Sequence, residues 1–107
     1  LSLAPFDVVT FNKVLEHVQD PVGMLAASRP LLAEGGFVYV EVPDAEGAAV
    51  DGPGREEFFI EHHHVFSAAS TALTATRAGF AVLAVERLRE PSGKFTVRAF
   101  FEPASST

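Results

Sequence analysis

The hydrophobic pattern opens on a short β-branched and aromatic run, Phe6-Asp7-Val8-Val9-Thr10-Phe11, with apolar side chains on both parities. Phe6 and Val8 share one face and Val9 and Phe11 the other, which predicts a buried strand of a parallel sheet covered by helices. Asn12 to Val18 reads as a loop or short helical turn. Asp20-Pro21 is a helix start: Asp20 caps, and Pro21 suits the first helical position, where no N–H is needed. Met24, Leu25, Leu31 and Leu32 follow at helical spacing and predict one stripe facing a sheet. Gly35-Gly36 is the expected C-terminal cap, with Pro30 kinking or shortening the helix before it.

A second strand is predicted over Phe37-Val38-Tyr39-Val40-Glu41-Val42, stopped by Pro43-Asp44. Residues 45–57 are rich in Gly, Ala, Asp and Glu, and a loop of that length in a small domain is usually functional or disordered. Ser67 caps a helix running to Ala78, with Gly79 as its stop. Ala69, Ala72, Leu73 and Thr76 are its expected packing face. Residues 81–89 form a third strand and Glu90-Pro91-Ser92-Gly93 a turn. Phe95, Val97, Ala99 and Phe101 then alternate along an antiparallel partner. The order strand, helix, strand, helix, strand, strand specifies an α/β layered sheet: two parallel strands with crossover helices, then an antiparallel hairpin.

Composition narrows the function classes. The chain has 107 residues, 48% hydrophobic and 21% charged, the composition of one globular domain. A net charge of -6, with eight basic residues spread from Lys13 to Arg98, argues against nucleic acid, whose phosphates demand clustered Lys and Arg. Without cysteine there is neither a disulfide framework nor a thiolate metal site. No apolar stretch approaches the roughly 18 residues that cross a bilayer, and no signal peptide is visible, so a cytoplasmic location is the expectation. The chain opens on Leu1 and reaches apolar sequence within a few residues, which reads as a piece of a longer protein.

The run from Phe6 through Phe11-Asn12-Lys13-Val14-Leu15-Glu16-His17-Val18-Gln19-Asp20-Pro21 closely resembles the fourth strand and following turn of class I S-adenosylmethionine-dependent methyltransferases. Gly35-Gly36-Phe37-Val38-Tyr39-Val40, Glu61-His62-His63-His64-Val65-Phe66-Ser67 and Arg77-Ala78-Gly79-Phe80 are similar to later blocks of that family, in the family's order. Each block is weak singly, and jointly they are specific. The resemblance implies the C-terminal half of a Rossmann-like, seven-stranded sheet: a partial domain over residues 1–102 with a polar tail at 103–107. It also implies S-adenosylmethionine as cofactor. The family's glycine-rich cofactor loop and its ribose-binding acidic residue have no counterpart here, so this chain alone is expected to bind cofactor poorly. The resemblance also leaves the strand of residues 6–11 without its partner on one side. We expect that apolar edge to self-associate or to depend on a missing half.

Ligands of open parallel sheets bind beyond the carboxyl ends of the strands. By the resemblance, Phe11, Asn12 and Lys13 line the sulfonium region of the cofactor; the plainer reading is that Asn12 and Lys13 start a turn. Methyl transfer is an in-line displacement in which alignment alone removes about 7–11 kcal/mol at best, and a base is needed only where the nucleophile must lose a proton. Glu61 and His62 are the candidate catalytic pair, by similarity to sugar C-methyltransferases. Phe59, Ile60 and Val65 replace that motif's Tyr, His and Tyr, and His62 is otherwise a substrate-lining or structural residue. Asp44 and His64 are candidate substrate-binding residues, although Asp after Pro is equally a turn former. The pair Glu16-His17 reads as structural, with ligand contact the rarer case. His62 and His64 share a face on an extended segment, but two imidazoles fall short of a zinc site, so no metal is expected.

The resulting reading is a piece of a methyltransferase acting on an oxygen or carbon nucleophile of a small-molecule acceptor. Its rivals are a non-catalytic binding or assembly module that keeps the half-fold, and an unrelated α/β protein with a His-based metal site.

Overall fold

The computed structural model describes residues 3–45 and 66–105. Their strands are β1 (Phe6–Asn12), β2 (Leu32–Pro43), β3 (Phe80–Arg89) and β4 (Phe95–Pro103), with helices α1 (Pro21–Ser28) and α2 (Ala68–Arg77). Short 3-10 turns, Leu15–His17 and Arg29–Leu31, precede and follow α1. The four strands form one sheet in the order β1-β2-β4-β3. β1 and β2 run parallel, and β4 lies antiparallel between β2 and β3. The α/β layering and the closing hairpin are as the hydrophobic pattern predicts.

The core is one-sided. Val38, Val40 and Val42 of β2 and Val97, Ala99 and Phe101 of β4 are completely buried, together with Leu25 of α1 and Ala75 of α2. Both helices therefore cover the same face. On the other face Phe37 and Tyr39 stack beside Phe100, with ring centroids 6.0 and 5.0 Å apart, and all three stay half-buried.

Three expectations need correction. The first helix stops at Ser28, because Pro30 has no N–H to continue the ladder; the chain passes through the 3-10 turn and is already a strand at Leu32. Of the predicted stripe Leu25 is buried in the core and Leu32, already in β2, packs against it, while Met24 and Leu31 stay exposed. Gly35-Gly36 thus lies inside β2, not at a helix cap. There a step from Phe6 to Val8 on β1 answers one from Leu32 to Phe37 on β2, and Gly35 takes φ +79° to make the bulge.

Second, β1 is covered on one face only: Val9 and Phe11 pack against the core, while Phe6 and Val8 are exposed. Its outer edge is unpaired among the described residues, as the resemblance implies. Third, α2 buries Thr71, Ala75 and Ala78, whereas Ala69, Leu73 and Thr76 face outward. Thr71 can face the core because its hydroxyl donates to the Ser67 carbonyl (2.7 Å), which satisfies the one polar atom it would otherwise bury. The predicted caps hold: the Asp20 carboxylate accepts from the Gly23 N–H (2.9 Å), and Ser67 exchanges hydrogen bonds with Ser70. Gly79 ends α2 at φ +90°. The start of the predicted tail is held, since Ala104 donates to the Gly79 carbonyl and accepts from Arg29.

Candidate active site at the carboxyl end of the sheet

Because β4 is antiparallel to both neighbours, β1, β2 and β3 all point their carboxyl ends the same way. Asn12-Lys13, Pro43-Asp44 and Arg89-Glu90 therefore converge on one end, beside Phe95-Thr96 at the start of β4. Phe11 is half-buried and Asn12 exposed at the tip of β1. Lys13 leaves the strand at φ 56°, the left-handed region that costs a lysine about 1–2 kcal/mol. Its N–H donates to the Glu41 carbonyl (2.8 Å), and its Nζ reaches Glu90 Oε2 at 3.0 Å.

That ion pair ties β1 to the β3–β4 turn across the end of β2. The same Glu90 oxygen accepts from the buried hydroxyl of Thr96 (3.0 Å). The Lys13 hydrogen bond holds the Glu90 carboxyl below the ordinary glutamate range; burial pushes the other way, and Thr96 adds to the lowering. Sequence reasoning read Glu90 only as a turn residue. The available signal was a carboxylate placed where a strand's carboxyl end meets the predicted site.

Asp44 stands where predicted, at the end of β2, but as a buried residue. Its N–H donates to the Phe95 carbonyl (3.0 Å) and its Oδ2 accepts from Arg87 Nε at 2.8 Å. Arg87 is nearly half exposed while the carboxylate is 2% exposed. Asp44 thus anchors a guanidinium at the rim, and the cationic head is the group nearer solvent. Arg87 was missed because it sits within an ordinary strand pattern.

In the turn after β1, Leu15 plugs the core and Glu16 is buried at 2% exposure. His17 Nε2 lies 3.7 Å from Glu16 Oε2, and no donor among the described residues reaches Glu16 Oε1. The sequence drew attention to the histidine of this pair; the structure buries the glutamate and leaves His17 exposed. The candidate catalytic pair Glu61 and His62, and the candidate substrate residue His64, lie outside the described residues. Among those described, no group of three or more His, Cys, Asp or Glu side chains could hold a metal ion, and no helix is long and apolar enough to cross a membrane.

Residues 2–85 match the model of a family described as "Methyltransferase domain". No curated protein sequence matches the chain. Among solved structures, the 1,6-didemethyltoxoflavin-N1-methyltransferase of Burkholderia thailandensis, with 1,6-didemethyltoxoflavin and S-adenosylhomocysteine bound, is similar over 95% of this chain and 45% of its own, with TM-score 0.72 and 23% identity. A putative methyltransferase in complex with the Haloferax volcanii Trm112 activator aligns over 94% and 55%, with TM-score 0.74 and 15% identity. The O-methyltransferase NcsB1 of neocarzinostatin biosynthesis, with S-adenosylhomocysteine and 1,4-dihydroxy-2-naphthoic acid, aligns over 95% and 30%, with TM-score 0.65 and 19% identity. The chain therefore spans from under a third to just over half of these neighbours.

Proposed function

This chain belongs to the methyltransferase-domain family of class I S-adenosylmethionine-dependent enzymes, and we propose that it forms the C-terminal, acceptor-side half of such a methyltransferase. The observation that carries this reading is the strand order β1-β2-β4-β3 with β4 reversed. It brings Asn12-Lys13, Asp44-Arg87 and Glu90-Thr96 to one end of a one-sided sheet. The proposed acceptor is a small molecule with an oxygen or carbon nucleophile; two structural neighbours hold small molecules, one as an O-methyltransferase and the other as an N-methyltransferase, which supports the small-molecule part of the reading.

The residues at the end of β1 fit one wall of a site for S-adenosylmethionine. Phe11 offers a half-buried aromatic edge and Asn12 an exposed amide. Lys13, the third cofactor-side residue, is neutralised by Glu90, so the wall does not set a bare cation against a sulfonium. The cofactor, when bound, supplies an electrophilic methyl group. The contribution of this chain is to hold and orient the acceptor: Arg87, fixed by Asp44, and the Lys13–Glu90 pair, braced by the buried Thr96 hydroxyl, form a polar rim around it. Because the chain spans from under a third to just over half of its structural neighbours, the isolated chain is proposed to be inactive. We keep His62 as proposed base with Glu61 as its partner, and His64 and Asp44 on the acceptor side. The outer edge of β1 is the proposed seam for self-association.

Calorimetry with S-adenosylhomocysteine tests the reading. The chain alone is expected to bind at millimolar affinity or worse, and a polypeptide extended upstream to bind at least 100-fold tighter. Binding by neither would overturn the enzyme reading in favour of a non-catalytic module.

A further inference from the structure

The buried glutamate in the turn after β1 has no part in the scheme above. Glu16 follows the carboxyl end of β1 directly, within the 3-10 turn Leu15–His17. It thus sits at the ligand end of the sheet. The Glu90 and Asp44 carboxylates are matched to cations, Glu90 with Lys13 at 3.0 Å and Asp44 with Arg87 at 2.8 Å. Glu16 differs: its Oε1 is buried without any donor among the described residues. Its other oxygen lies 3.7 Å from His17 Nε2, too long for a strong hydrogen bond.

A buried carboxylate oxygen with no donor is a destabilising feature, and such groups persist where a function uses them. The neighbouring His17 side chain, whose Nε2 faces Glu16 Oε2, is 45% exposed. An ionised carboxylate only accepts, so whatever completes it must bring an O–H or N–H. We propose that Glu16 is the acceptor-binding residue of this site: its Oε1 takes a hydrogen bond from a hydroxyl of the small molecule. The assignment rests on the methyltransferase reading, which supplies the acceptor.

The test follows the Glu16 side-chain carboxyl carbon by ¹³C NMR while the chain is titrated with catechol, veratrole or benzylamine. Catechol is expected to move that resonance. Veratrole, which has the same ring without an O–H, is expected to leave it in place. Glu16→Gln is expected to weaken catechol binding by about 10- to 100-fold, the worth of a hydrogen bond to a charged group. Glu16→Leu is expected to raise Tm in the absence of any small molecule, because it removes a buried oxygen that has no donor.

A fall in Tm with both variants would make Glu16 a structural carboxylate and overturn the proposal. So would a Glu16 resonance indifferent to catechol, or one that responds to benzylamine alone. The S-adenosylhomocysteine experiment fails independently: its failure removes the enzyme reading and leaves the Glu16 resonance and Tm results as they stand.

Discussion

Gly36 sets the register on which the site depends, and replacing it is the sharpest test of that register. A Cβ at Gly36 would lie 2.9 Å from the Ala33 carbonyl oxygen, 3.0 Å from that of Asp7 and 3.1 Å from that of Phe6. All three are backbone atoms at the bulge of the β1–β2 pair, so none can rotate away as a side-chain tip would. Gly36→Ala must therefore displace β1 from β2. Overpacking of this kind costs about 1–3 kcal/mol, and the backbone setting places it at the upper end. Alanine recovers about 0.4–1 kcal/mol by restricting the unfolded chain, leaving a net loss of roughly 2 kcal/mol. For a domain of this size that corresponds to a Tm about 10 °C lower. Gly35 is the control: its φ is +79° but nothing lies within 4 Å of an added Cβ. Gly35→Ala then costs only the left-handed penalty of about 1–2 kcal/mol, less the same unfolded-state gain, so roughly 1 kcal/mol or below. Urea unfolding measures both. Hydrogen exchange at the Lys13 N–H, which donates to Glu41, reports whether the displacement reaches the site; it should lose protection in Gly36→Ala and keep it in Gly35→Ala. A Gly36→Ala chain within 0.5 kcal/mol of the parent, or one more stable than Gly35→Ala, would refute the close-approach argument.

The other expectations concern the site and the exposed rim. Arg87→Ala strands the Asp44 carboxylate at 2% exposure; losing one partner of a fully buried pair costs about 3–5 kcal/mol, and the half-exposed guanidinium brings this to about 2 kcal/mol by urea titration, with a cost below 0.5 kcal/mol counting against an anchoring role. The Glu90 carboxyl is held below its ordinary value of 4.5. Its contribution to stability is therefore present above that pH and lost as pH falls through the lowered folded-state value, so the stability gap between parent and Lys13→Met should be widest near neutrality and close on acidification; a gap that widens below pH 4 would contradict the assignment. Phe101→Ala, at a completely buried position, should cost about 3–5 kcal/mol and leave no cooperative transition in a domain this small. Light scattering should show the parent chain associating at high concentration, and Val8→Lys, which charges an exposed residue of the rim strand, should return it to monomer. A parent that stays monomeric throughout would remove the self-association proposal.

What the sequence made legible, and what it hid, divides along a physical line. Features set by neighbouring residues could be read directly: the Asp20 and Ser67 caps, the Gly79 stop, the Gly93 turn and the alternation of Val97, Ala99 and Phe101 are each decided within a few positions. Features set by what packs on top could not. An apolar run such as residues 6–11 states that both its faces suit burial, and does not state whether the covering elements are at hand, so the same pattern serves a strand covered on both faces and one that leaves Phe6 and Val8 exposed. The α2 face was misread for a related reason: Thr71 counts as polar in any hydrophobic tally, yet its hydroxyl is spent on the Ser67 carbonyl, and the methyl is what the sheet meets. At the site, position was legible and pairing was not. The strand ends named Asn12, Lys13 and Asp44, because a parallel sheet has only one end at which to gather ligands. Their partners Glu90 and Arg87 come from the far side of the reversed strand β4, and that reversal is a property of the assembled sheet. Glu16 marks the limit from the other direction. Nothing in its local sequence separates a salt-bridged surface glutamate from a buried one, and only the folded geometry shows that Lys13 turns to Glu90 and Arg87 to Asp44 while Glu16 is buried beside His17 with one oxygen lacking a donor among the described residues.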